Sequence, residues 1–205
     1  MISFLWRHRT RYTLGSRLWW RAWAKRLLTA NTILRAGLRA SVLRYRGATI
    51  HPVAFVSKAD IQGDLRKLTI GEGSVIGRAK IQIHDSVRIG ANVCINDGVI
   101  FFTASHAVDD VTWQPKTGAI LVEDFAWIAS SAIILPGVRI GRGAIVGAGA
   151  VVAKDVPPGA VAIGNPCLIQ EHKRPEKLDY SPILFVAGVR AWIYNEAGLD
   201  KGSKC

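Results

Sequence analysis

No aspartate or glutamate occurs before Asp60 in this chain of 205 residues, yet residues 1–59 hold twelve lysines and arginines. The remaining fifteen bases meet all fifteen acids after residue 59, so the net charge of +12 belongs to an N-terminal arm. A basic nucleic-acid-binding body is argued against by that placement, because the rest of the chain is neutral overall. Cysteine is scarce: Cys94, Cys167 and Cys205 are scattered, with no C-x-x-C spacing. That argues against a disulfide or zinc framework and suits a reducing cytoplasm. No unbroken apolar run reaches the ~18 residues expected of a membrane span. The opening Ile2-Ser3-Phe4-Leu5-Trp6 meets Arg7-His8-Arg9 at once, too short and too charged for a signal peptide.

What the chain does have is a period of six. Val122, Ile128, Ile134, Ile140, Val146 and Val152 follow one another at that spacing, and the next residue is usually small, as at Ala129, Gly141, Gly147 and Ala153. The same beat runs through Ile70 and Ile76, then through Ile89, Ile95 and Phe101. Neither a helix nor a simple strand has this period. A parallel β-helix does: each hexad supplies one short strand and one corner, and three hexads close a triangular coil of about 18 residues. The aliphatic residue points inward, and small residues let the backbone turn.

Three segments follow from the pattern. Residues 1–47 form a basic, Trp-rich helical arm. Residues 48–169 form the β-helix, with a loop at 103–119 thrown out of it, and 170–205 form a tail. In the arm, Trp20, Trp23, Leu27, Ala30, Leu34 and Leu38 make an apolar stripe at helical spacing. Arg17, Arg21, Lys25, Arg35 and Arg39 cluster on the other side. Two compatible readings fit: contact with an anionic membrane, or packing of the stripe on the end of the β-helix as a cap. In the tail, 183–194 reads as a short helix or a strand. The beat also slips near His84.

A β-helix body is chemically bland, so function is expected where the pattern fails. The longest failure, 103–119, contains His106. An imidazole is suited near neutral pH to take a proton from an attacking hydroxyl. His8 lies in the arm, His51 in the irregular first coil, His84 in the slip and His172 in the tail.

Several runs carry a family resemblance: Thr103-Ala104-Ser105-His106, Ala126-Trp127-Ile128-Ala129-Ser130, Leu135-Pro136-Gly137-Val138, Val146 to Val152, Lys154 to Pro158, and Gly164-Asn165-Pro166. Together they resemble the hexapeptide-repeat acyltransferases, nearest to the colanic-acid-type and nodulation-type sugar O-acetyltransferases. The resemblance spans roughly residues 45–170. It implies an all-β, left-handed parallel β-helix assembled as a homotrimer, with active sites between subunits. The implied reaction is acetyl transfer from acetyl-CoA to a sugar hydroxyl in polysaccharide, O-antigen or exopolysaccharide synthesis, with no metal. His106 would be the general base and Ser130 would help hold the thioester oxygen. Trp127, Ser130, Ala148, Ala153 and Lys154 would line the CoA path. The implied location is cytoplasmic, with the arm allowing a peripheral position on the inner face of the membrane.

The chain departs from the family at the acceptor side. Where the maltose type has an asparagine or acid well before the histidine, this chain has His84 and Asp85. Asp85, Asn96, Asp97, Asp109 and Asp110 are the candidates for sugar contact or for orienting His106. The basic residue usual near the end of the Gly-Asn-Pro motif is missing, and Lys173 and Arg174 are the candidates to replace it. Alternatives on the same scaffold are an antibiotic or amino-sugar N-acyltransferase and a non-catalytic scaffold. A zinc carbonic anhydrase of this fold needs three converging imidazoles, and His106 has no close histidine partner.

Overall fold

The structure, a computed structural model, describes residues 1–170, 174–175 and 177–193. Three parallel sheets form the faces of a left-handed prism of about six coils. The first face stacks Thr49–Ile50, Leu68–Ile70, Val87–Ile89, Ile120–Val122 and Arg139–Ile140. The second stacks Phe55–Val56, Val75–Ile76, Cys94–Ile95, Trp127–Ile128, Ile145–Val146 and Val161–Ile163, with Leu168–Gln170 returning antiparallel at its edge. The third stacks Asp60–Gly63, Lys80–Ile83, Ile100–Phe102, Ile133–Ile134 and Val151–Val152. Successive strands lie on successive faces, with crossovers of the hand opposite to the usual one.

Two-residue strands have no stability of their own. They persist because each coil hydrogen-bonds to its neighbours, as in Asn96 N–H to Ile128 O (2.9 Å) and Ala129 N–H to Val146 O (2.8 Å). The six-beat residues fill the interior: Ile76, Ile95, Ile128 and Val146 stack in register on the second face, each at most 1% exposed. On the third face Phe101, Ile134 and Val152 do the same.

The slip near His84 has a specific cause. Thr103 is fully buried, and its hydroxyl donates to Gln82 O (2.8 Å). The same oxygen accepts from His84 N–H (2.7 Å) and Asp85 N–H (3.1 Å). The extra residues of coil two therefore fold onto a side chain of coil three. Thr103 is also the first residue of the 103–119 excursion, and its carbonyl accepts from Gly118 N–H at 2.9 Å. Slip and loop share one anchor.

The arm comprises α1 (Ile2–His8) and α2 (Arg17–Tyr45), the latter N-capped by the Ser16 hydroxyl accepting from Trp19 N–H. One part of the expected arrangement is corrected. The face of α2 that packs is Ala22, Arg26, Ile33, Ala36 and Ala40, whereas Trp20, Leu27, Leu34 and Leu38 point to solvent. Small residues allow the close approach that the large stripe forbids. Ile33 and Ala36 join Leu5, Val53, Phe55, Ile183 and Val189 in a second core at the end of the prism. The tail segment 183–193 is helical: a 3-10 turn, Pro182–Phe185, precedes α3 (Ala187–Ile193). Gly188 lets α3 approach α2 closely, since a Cβ there would lie 2.8 Å from the Ile33 side chain and displace it. Arg26, 4% exposed, clasps the assembly by donating to Thr10 O (2.7 Å), Ala191 O (3.3 Å) and Trp192 O (3.4 Å).

Two substitutions test this account. Ile134→Ala should cost roughly 2–5 kcal/mol, since it empties a site stacked between two coils; urea unfolding with an unchanged midpoint would contradict the stack. Thr103→Val keeps the shape but strands three backbone groups, at a cost of roughly 1–3 kcal/mol. Its signature is faster hydrogen exchange at the His84 and Asp85 amides.

Candidate active site on the excursion and the prism edges

The 103–119 excursion is a β-hairpin. Ala104–His106 pairs antiparallel with Pro115–Thr117, with His106 opposite Pro115. Asp110 shapes the tip: its carboxylate accepts from the Thr112 hydroxyl (2.6 Å), Thr112 N–H (2.8 Å) and Gln114 N–H (3.3 Å). Those bonds, the Thr112 hydroxyl first, hold its carboxyl below the usual carboxylate range. Asp110 is thus committed to the turn.

The turn delivers Trp113 in the left-handed region, at φ 51°, which is costly for a bulky L-residue. Two contacts with His106 accompany it. The Trp113 carbonyl lies 2.8 Å from His106 Nδ1, and the indole stacks on the imidazole at 4.7 Å and 12°. A carbonyl can only accept, so Nδ1 carries the hydrogen of the neutral ring. Nε2 is left with its lone pair, and the ring is exposed to solvent. This is the tautomer a general base requires, held by backbone and stacking rather than by a carboxylate. Sequence pattern does not single out Trp113; its one visible signal is that it is the lone tryptophan of the loop.

The other expected residues fall on two edges of the prism. The hairpin leaves at the edge between the third and first faces. Ala153 and Lys154, both exposed, turn the same edge two coils on. Asp85 is there too, half-buried, its carboxylate accepting Ser86 N–H at 2.6 Å. Trp127, 42% exposed, projects from the second face. Ser130 and Ala148 occupy successive coils at the edge between the second and third faces, where Gly149 N–H bonds Ser130 O at 3.0 Å. In one chain, therefore, the width of the third face separates His106 from Trp127, Ser130 and Ala148.

Asp97 shares the edge of Ser130 but is occupied. The Arg78 backbone N–H (2.8 Å), then its guanidinium (2.7 Å), hold the Asp97 carboxyl below the usual range. Asn96 Oδ1 accepts from the Cys94 thiol at 3.3 Å, and burial raises that thiol's pKa. Asp109 is exposed near the hairpin tip. Arg174 lies apart from the other expected CoA-binding residues: it donates to Gly143 O (2.9 Å) and stacks on Tyr180, whose hydroxyl donates to Phe125 O. Those partners mark the remaining edge, between the first and second faces, where the tail returns along the prism. Lys173 lies outside the described residues. Among the described residues no three His, Cys, Asp or Glu side chains gather as a metal-binding group.

The outward positions of the faces differ. The first shows Thr49, Thr69, Arg88, Leu121 and Arg139. In the central coils the second shows Cys94, Trp127 and Ile145, and the third Ile100, Ile133 and Val151. In those central coils two adjacent faces are apolar on the outside as well as within, while the first coils of the third face show Asp60, Gln62, Lys80 and Gln82.

Comparison with known proteins agrees with this architecture. The bacterial transferase hexapeptide (six repeats) family matches residues 119–154. A galactoside O-acetyltransferase of Lactococcus lactis is 38% identical over 88 residues, covering 40% of this chain and 41% of the relative. The chain thus matches only about two fifths of that relative's length. A hexapeptide-repeat acetyltransferase of Vibrio cholerae, solved with acetyl coenzyme A, superposes with a TM-score of 0.62 at 24% identity, covering 80% of this chain and 94% of that one. A maltose O-acetyltransferase of Clostridium difficile superposes with a TM-score of 0.59 at 23% identity, covering 82% and 94%. Residues 119–154 thus carry the hexapeptide repeat of that family, and the coiled prism as a whole has the fold of those solved structures.

Proposed function

We propose that the protein transfers an acetyl group from acetyl-CoA to a saccharide hydroxyl in polysaccharide assembly, with His106 as the base. The carrying observation is the imidazole held through Nδ1 by the Trp113 carbonyl, with Nε2 left open to solvent. As the acceptor oxygen attacks the thioester carbonyl, Nε2 takes its proton. Collapse of the tetrahedral intermediate expels the CoA thiolate, which recovers that proton. Ser130, on the edge between the second and third faces, is the residue we assign as the donor that steadies the oxyanion. The small corner residues Gly147, Ala148 and Gly149 leave room along the edge for the pantetheine arm. Lys154, exposed, offers a charge to a CoA phosphate. Asp85 is the acceptor-side candidate that shares the edge of the hairpin; Asp97 and Asp110 are less suited, being committed elsewhere.

The reading includes a homotrimer. His106 and the Trp127–Ser130–Ala148 set sit on different edges, so a neighbouring chain is what would bring them together. Two distinct faces, apolar in the central coils, suit a heterologous contact, and a rotation of a third of a turn about an axis along the prism would close it into a ring. It also includes a cytoplasmic location, peripheral on the inner face of the membrane.

In an assay of CoA release with saccharide acceptors, His106→Ala should lower kcat by about 10²–10⁴, the worth of a general base. Retention of wild-type kcat would refute the assignment, and transfer only to amino sugars would make the enzyme an N-acyltransferase. Light scattering should give three times the 22.3 kDa chain mass. Ile133→Glu should dissociate that assembly and remove activity with it; an active monomer would exclude a shared site.

A further inference from the structure

Helix α2 carries two apolar faces, and the fold covers only one. The covered face is the small-residue row of Ala22, Ile33, Ala36 and Ala40. The other is exposed: Trp20 is 64%, Leu27 71%, Leu34 56% and Leu38 67% accessible. Spacings of seven, seven and four keep these four on one strip of the helix. Val42, 47% accessible, prolongs the strip to about 33 Å at 1.5 Å per residue. Arg17, Arg35 and Arg39 run beside it, five turns and then one turn apart. On α1, Trp6 is half exposed, with the Arg9 guanidinium 3.8 Å above its ring.

The chemistry narrows the occupant. A contiguous apolar strip of this length normally marks an interaction surface. A second copy docked strip to strip would oppose arginine rows with no acid anywhere in residues 1–59 to pair with them. A nucleic acid would meet leucine and tryptophan where phosphate wants donors. An anionic bilayer surface satisfies both features: apolar side chains enter below the headgroups while arginines meet the lipid phosphates. No helix among the described residues is long and apolar enough to cross a membrane, which leaves α2 lying in the interface plane.

From this juxtaposition we infer that the strip Trp20–Leu27–Leu34–Leu38, with its flank Arg17–Arg35–Arg39, is the docking surface for an anionic membrane. The inference deepens the peripheral location included in the reading above and does not depend on the transfer chemistry. Leu5, Arg26 and Ile33 lie on the packed side, so the strip can be altered without touching either core.

The test is sedimentation of the full chain with phosphatidylcholine vesicles, with and without phosphatidylglycerol. The chain should bind the anionic vesicles, at least about tenfold more weakly without phosphatidylglycerol, and less at high salt. The pairs Leu27→Ser/Leu34→Ser and Arg17→Glu/Arg35→Glu should each reduce binding about tenfold or more. Thermal melting and oligomeric mass should stay at wild-type values in both. Failure of the wild type to bind anionic vesicles overturns the inference, as does binding that survives both pairs. A smaller assembly in the leucine pair also overturns it, by making the strip a contact between chains. Acetyl transfer to a soluble saccharide, measured on the same samples, should persist in both pairs. Vesicle binding without transfer would sink the enzymatic reading alone.

Discussion

Every coil of this protein depends on the coil above and below it. A strand of two residues makes no lasting structure, but a stack of them shares backbone hydrogen bonds and an unbroken aliphatic column. Ile76, Ile95, Ile128 and Val146 show the requirement directly: one inward side chain per hexad, each closing over the last. The constraint is strict inside and permissive at the corners. A corner can admit extra chain provided the stray backbone groups find partners. Thr103 supplies those partners for the slip at His84–Asp85, and the same residue opens the long hairpin.

The candidate chemistry grows from that tolerance. The prism offers rigid edges, and the hairpin carries a side chain away from one of them without disturbing the stack. Within the hairpin the ordering is local. Asp110 sets the turn, the turn sets Trp113 in an uncommon backbone region, and Trp113 holds His106 by carbonyl and ring. An imidazole held this way needs no neighbouring acid to orient it: the Trp113 carbonyl, not a carboxylate, is the partner of its Nδ1. The separation of His106 from Trp127 and Ser130 by a full face has a different meaning. In the reading proposed above it makes the prism one half of a site shared between chains, which suits the apolar outward residues of the central coils on the second and third faces.

The prism and the place of its excursion were legible because their determinants are repeated or conspicuous. A six-residue beat appears many times, so one irregular hexad does not hide it, and a histidine in the one long interruption stands out. The uses of Asp97 and Asp110 were not legible. Whether a carboxylate is free for a ligand depends on whether Arg78 or Thr112 reaches it first, and spacing does not show that. Helix α2 was half legible. Its amphipathic period was clear, but it has two apolar rows, and periodicity alone cannot say which one is buried. Residue size and partners from the tail, Ile183 and Val189, made the choice for the small row.

Amino-acid order by itself determined the coiled prism, the place of the excursion, the basic arm and the candidate base, since each rests on local pattern or composition. Only the tertiary structure decided which face of α2 packs, how the tail returns along one edge, and that Arg174 is spent there. Only it decided the tautomer of His106 and the distribution of the expected site over two edges. Those outcomes depend on which distant groups meet, and such meetings carry no period along the chain.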